Sequence, residues 1–132
     1  MMKVHHIGYL VKNMSEAVVD FQLLGYTVSS EAVCDNLRDI DICFMSNNET
    51  NIELIVPHQS CKTFSSLRKK IGNAPYHICY ISEDFENDLE VLQEKGFLLI
   101  DSPKPAVAIS NRNVAFLMSD SIGLIELLDG EE

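Results

Sequence analysis

The chain has 132 residues, 46% of them hydrophobic, and twenty acidic residues against ten lysines and arginines give a formal charge of −10. That length holds one domain, or two half-sized modules sharing a core, and the charge has the wrong sign for gripping a phosphate backbone, so nucleic acid is not an expected partner. No apolar run reaches the roughly 18 uncharged residues of a membrane helix and no signal-peptide pattern opens the chain, so no membrane partner and a cytoplasmic location are expected.

In chain order, "VHHIGYLV" is apolar and β-prone, and "NMSEAVVDFQLLGY" follows as a helix with Ser15 at its N-cap and Gly25 as its stop. Three strand-like runs come next, "YTVSSEAV", "DIDICFMS" and "TNIELIVP", separated by polar turns and closed by Pro57. The polar stretch His58 to Pro75 reads as a connector with a short helix around Phe64 to Lys70. "YHICYIS" is then a strand, "EDFENDLEVLQEKG" an amphipathic helix stopped by Gly96, and "FLLIDSP", "NVAFLMS" and "GLIELLD" are three more strands. The segment 102–113, "SPKPAVAISNRN", reads as the one long irregular loop of this half. Cys34, Cys43, Cys61 and Cys79 form no C-x-x-C pair and are expected to be reduced, mostly core thiols.

The two halves repeat. His6, Ile7, Tyr9, Gln22 and Gly25 match His77, Ile78, Tyr80, Gln93 and Gly96 at an offset of 71, and "IEL" at Ile52 to Leu54 recurs at Ile125 to Leu127 at an offset of 73. The expected organisation is a single α+β domain of two tandem β-α-β-β-β modules, 1–57 and 76–132, joined by the connector 58–75.

Each module thus contributes a histidine on its first strand and a glutamate on its last: His6 with Glu53, and His77 with Glu126. A carboxylate among apolar strand neighbours is costly to bury unless paired, and a cation is the economical partner. Two imidazoles and two carboxylates suit one divalent first-row metal with open positions, nickel, cobalt or zinc foremost, better than a closed structural zinc site or an all-oxygen calcium cage. His5 falls on the opposite face of the strand from His6. Cys79 shares a face with His77 and reads as a small hydrophobe. His58 has no counterpart in the second half and is expected to be exposed.

The His-I-x-Y openings, the LLGY and EKGF helix ends, "NIELIVP" and "GLIELLD" together resemble the vicinal oxygen chelate superfamily, in particular small bacterial glyoxalase I enzymes and methylmalonyl-CoA epimerases. The resemblance implies an open eight-stranded half-barrel around a metal held by His6, Glu53, His77 and Glu126, with Glu126 as the base and Glu53 as partner acid or ligand. It also implies a metal-dependent isomerase that moves a proton through an enediolate. The first expectation is lactoylglutathione lyase acting on a glutathione hemithioacetal. The alternatives are methylmalonyl-CoA epimerase and a non-catalytic binder of the bleomycin-resistance type, though a pure binder has no reason to bury two glutamates. By the same resemblance Asp41 is the acidic residue on the strand crossing the cleft, and a homodimer is expected. Either thiol-derived substrate, the glutathione adduct or the coenzyme A thioester, is anionic, so local cations are needed. Lys104 and Arg112, or Lys62, Arg68, Lys69 and Lys70, are the candidates.

Overall fold

The computed structural model describes residues 2–130; Met1 and residues 131–132, at the outer ends of the two expected modules, lie outside the described residues. The fold is α+β with two β-α-β-β-β-like modules, each carrying a mixed, open sheet. The chain divides into two compact units, His6–Tyr76 and Met1–His5 with His77–Glu132, so the connector counts with the first module.

In the first unit, β1 (Lys3–Leu10) enters with its His6–Leu10 part, followed by α1 (Met14–Leu23), β2 (Thr27–Val28), β3 (Val33–Asp35), β4 (Ile40–Asn47), β5 (Thr50–Pro57) and α2 (Lys62–Ile71). The strands lie in the order β2-β4-β5-β1, with β5 antiparallel to β4 and parallel to β1. One face of this sheet carries Cys43, Met45, Ile52 and Leu54, which α1 covers with Ala17, Val18 and Phe21. Burying a side chain such as Leu54, fully inaccessible, contributes about 2 kcal/mol. Strand alternation turns His6, Phe44 and Glu53 to the other face.

Three expectations are corrected here. The N-cap of α1 is Asn13, not Ser15: the Asn13 Oδ1 accepts from the backbone N–H of Glu16 at 3.0 Å and from the Ser15 hydroxyl at 2.9 Å. The run "YTVSSEAV" is two short strands sharing one lane along β4. Val28 pairs with Met45 and Val33 with Ile42, so the four residues 29–32 face only Cys43 and Phe44 and bulge outward. The connector helix α2 is longer than expected, Lys62–Ile71, and ends at Gly72 with φ +74°.

The second unit holds β6 (Ala74–Ser82) from His77 onward, α3 (Phe85–Glu94), β7 (Leu98–Ala106), a 3-10 turn (Val107–Ile109), β8 (Arg112–Ser119) and β9 (Gly123–Asp129). The strand order is β6-β9-β8-β7, with β6 parallel to β9 and the others antiparallel. Phe85, Leu89 and Leu92 of α3 pack against Ala115, Leu117, Ile125 and Leu127. Gly25 and Gly96 end α1 and α3 at φ +98° and +103°, where a residue with a Cβ is strained.

The segment 102–113 is not an irregular loop. Ser102 to Ala106 continue β7, and β8 begins at Arg112 after a turn through Ser110 and Asn111, both left-handed. Pro103 and Pro105 mask the strand in the sequence, and they are tolerated because β7 is the last strand of its sheet and its pairing with β8 shifts register twice. Among the described residues, no helix is long and apolar enough to cross a membrane.

Candidate functional site

The two expected pairs are both built. In the first unit, Gly8 of β1 is the register partner of Glu53 on β5, which sets His6, two residues earlier on the same face, beside the carboxylate. The His6 Nε2 lies 3.3 Å from the Glu53 Oε1. In the second unit Cys79 is the register partner of Glu126, and the His77 Nε2 lies 3.1 Å from the Glu126 Oε1. All four residues are buried, with exposures of 1% for His6, 3% for Glu53 and 4% for both His77 and Glu126.

A buried imidazole and carboxylate at this distance share a hydrogen bond when Nε2 carries the proton and donates it to Oε1. The same spacing fits two neighbouring ligands of one ion. Donors about 2.1 Å from a metal are separated by about 3.0 Å at a right angle and by about 3.4 Å at the tetrahedral angle. Both observed separations fall in that window, so each pair has the donor chemistry and the geometry of half a coordination shell. Loading would displace the shared proton, because Nε2 cannot donate and ligate at once.

Each pair has an aromatic partner that sequence reasoning missed. Phe44 stands directly opposite Glu53 on β4 and meets the His6 ring edge-on, centroids 5.1 Å apart at 83°. Phe116 stands opposite Glu126 on β8 and meets His77 in the same way, at 5.2 Å and 88°. Rings packed so fix the imidazole plane and keep water from the pair. The available signal was that each phenylalanine precedes its glutamate across a hairpin, by nine residues in one module and ten in the other.

Asp41, Lys104 and Arg112 each meet a partner outside the two pairs. Asp41 is three residues from Phe44 on β4, on the face opposite Glu53, and its Oδ1 is 2.9 Å from the His58 Nε2. His58, expected to be exposed, is therefore half-buried against a carboxylate. The acidic residue that does share Phe44's face in this region is Asp35, the register partner of Ile40. It is buried and bound to the Arg38 guanidinium at 2.9 Å, four residues or about 13 Å along the strand from the level of Glu53. Lys104 pairs with Asp101 at 2.7 Å, and the Arg112 Nε donates to the Asp129 carbonyl at 2.8 Å. Of the other basic group, Arg68 and Lys69 join Lys12 and Gln59 around a cavity of about 490 Å³ in the first unit. The cysteines divide evenly: Cys43 and Cys79 are core thiols, Cys61 is half-buried and Cys34 is exposed.

Residues 5–116, most of the chain, match the family model described as the Glyoxalase/Bleomycin resistance protein/Dioxygenase superfamily. The chain belongs to that superfamily. No curated protein matches the sequence significantly. Among solved structures it is similar to a hypothetical protein from Bacillus halodurans, at 23% identity and a TM-score of 0.86 over 99% of this chain and 96% of that one. It is similar to methylmalonyl-CoA epimerase from Mycobacterium tuberculosis, at 17% identity and 0.83 over 98% of this chain and 88% of that one. A methylmalonyl-CoA epimerase in complex with methylmalonyl-CoA and an ammonium ion matches at 17% identity and 0.84 over 98% of this chain and 94% of that one. At these identities the likeness is one of fold.

Proposed function

We propose that the protein is a divalent-metal-dependent epimerase acting beside the carbonyl of a coenzyme A thioester, of the methylmalonyl-CoA epimerase type. In this reading His6, Glu53, His77 and Glu126 are the metal ligands, the set that the superfamily resemblance implies. The observation that carries it is the pair geometry: two buried histidine–glutamate pairs, repeated in sequence and each at the spacing of adjacent ligands on one ion. The fold likeness to several methylmalonyl-CoA epimerases supports the coenzyme A thioester over the glutathione hemithioacetal. That reverses the order expected from the sequence.

A divalent ion held there would act as a Lewis acid toward the oxygens of the substrate. The chain's own carboxylates move the proton. Epimerisation needs a base and an acid at one carbon, and the repeat supplies one carboxylate per module. As the carboxylate, Glu126 accepts the carbon-bound proton, and Glu53, which takes a proton from solvent before the step, returns it to the opposite face of the same carbon; the two exchange roles for the other epimer. His6 and His77, oriented by Phe44 and Phe116, hold their positions while the carboxylates shift. The cavity bounded by Lys12, Arg68 and Lys69 offers this acidic protein a local cationic surface for the phosphates of the carrier. The homodimer stays part of this reading, and light scattering on the purified protein tests it.

The deciding experiment strips the protein of metal, titrates nickel, cobalt, manganese and zinc back, and assays methylmalonyl-CoA and the methylglyoxal–glutathione hemithioacetal side by side. Restored turnover of the thioester supports the proposal. Turnover of the hemithioacetal alone would return the assignment to the lyase, and reactivation that is indifferent to His6→Ala and His77→Ala would remove the ligand set.

A further inference from the structure

Apart from the two histidine–glutamate pairs, the first unit brings three potential ligands of different chemistry to one place. Cys34 on β3 and Asp41 on β4 are register partners, so their side chains leave the sheet on the same face. His58 arrives from the end of β5, where its backbone N–H donates to the Asp39 carbonyl at 2.8 Å, and its Nε2 comes to 2.9 Å from the Asp41 Oδ1. One donor atom from each of the three lies within 4.8 Å of the others. The Cys34 thiol also donates to the Asn36 Oδ1 at 3.3 Å, which adds a fourth heteroatom. Asp41 and Phe44 point to opposite faces of β4, so this cluster is separated from the Glu53 pair by the sheet itself.

We propose that Cys34, Asp41 and His58 form a second divalent-metal site, suited to zinc or cobalt and open to solvent. A sulfur, an imidazole nitrogen and a carboxylate oxygen, with water or Asn36 in fourth place, make a borderline-soft tetrahedral set that selects these ions over magnesium or calcium. Three successive strands converge here, and the pairing of β3 with β4 fixes two of the donors on the sheet. The same atoms do not make a nucleophile. The imidazole bonds the carboxylate rather than the thiol, and partial desolvation, then the carboxylates of Asp41, Asp35 and Asp39, disfavour a free thiolate. That acidic setting attracts a cation. Binding replaces the S–H bond by a sulfur–metal bond and releases the proton to solvent.

Cobalt reports the site selectively, because a thiolate ligand gives a near-ultraviolet charge-transfer band that the histidine–glutamate pairs lack. Metal-free protein titrated with cobalt should develop this band to a limit of one thiolate-bound cobalt per chain and lose it in Cys34→Ser. In His58→Ala the affinity read from the band should fall about tenfold or more. Zinc should displace the cobalt and protect Cys34 from alkylation, as mapped by mass spectrometry on the unaltered protein, a readout that does not depend on how the variants fold. Absence of the band, its persistence in Cys34→Ser, its indifference to His58→Ala, or alkylation of Cys34 at the same rate with and without zinc would each overturn the proposal.

Discussion

Replacing Glu126 by glutamine removes the proposed base and keeps the shape of the side chain, and because Glu126 is also a proposed ligand the variant is compared with the parent at equal, quantified metal loading. The side chain is 4% exposed and its Oε1 is 3.1 Å from the His77 Nε2. Glutamine has the same shape, and its amide oxygen still accepts the imidazole N–H. What is lost is the charge assistance of one hydrogen bond, about 1 kcal/mol, too little to unfold a domain of this size. A positioned general base contributes about a hundred- to ten-thousand-fold, or about 3 to 5 kcal/mol in the barrier. Glu126→Gln should therefore lower epimerisation by about that factor while the melting temperature moves by a few degrees. The assay incubates each methylmalonyl-CoA epimer separately in deuterium oxide and follows both interconversion and loss of the α-proton. With one carboxylate per module, Glu126→Gln should abolish proton loss from one epimer and spare it in the other, and Glu53→Gln should give the mirror pattern. Full turnover in Glu126→Gln, or equal loss of exchange from both epimers in both variants, would refute the two-carboxylate reasoning.

Asn13→Ala removes the cap on the Glu16 N–H and should cost about 1 kcal/mol, seen as a fall of about 3 to 5 °C in Tm. Gly96→Ala meets no atom within 4 Å, so its cost is the left-handed backbone alone, about 1 to 2 kcal/mol by urea unfolding. Gly130→Ala should destabilise through a different route, because a Cβ there would stand 2.7 Å from the Ser82 carbonyl, and the end of β9 would have to move off β6. In metal-free protein, partial desolvation and then the Asp41 carboxylate raise the Cys34 thiol above its ordinary value of 9.0, so Cys34 should alkylate more slowly than the same thiol in the urea-unfolded chain. The unfolded chain then loses its proton first, so this group's contribution to stability is present below pH 9 and lost as pH rises through the folded value.

The elements most legible in the sequence are those whose pattern is local. Gly25 and Gly96 end their helices as read, because a helix stop needs only one residue with a free left-handed conformation. The errors occur where pairing partners decide. Asn13 outcompetes Ser15 as the cap because β1 releases the chain at Leu10, and which polar residue then sits at the helix start depends on where that strand stops. The stretch 102–106 reads as loop by its prolines and is strand by its position, since only the sheet order reveals that it is an edge. Asp41 faces away from Glu53 for the same reason: strand alternation is strict, but its phase relative to the site comes from the register between β4 and β5, which no single strand contains.

That register also explains why half of each pair's surroundings stayed hidden. The histidines repeat at 71 and the glutamates at 73, whereas Phe44 and Phe116 repeat at 72, an offset that matches neither ligand alignment. The hairpins account for one of the two added residues. Asn47 pairs with Thr50 across two turn residues in the first module, and Ser119 pairs with Gly123 across three in the second. The other addition precedes the phenylalanine, between Tyr26 and Phe44 in one module and Phe97 and Phe116 in the other. Each insertion lies outside the paired segments, so the phenylalanine stays opposite its glutamate in both modules although the numbering drifts. A site built on sheet register keeps its geometry through changes in its loops. Repeats of this kind are therefore better sought in the distance from each candidate ligand to the strand that faces it than in one constant offset along the chain.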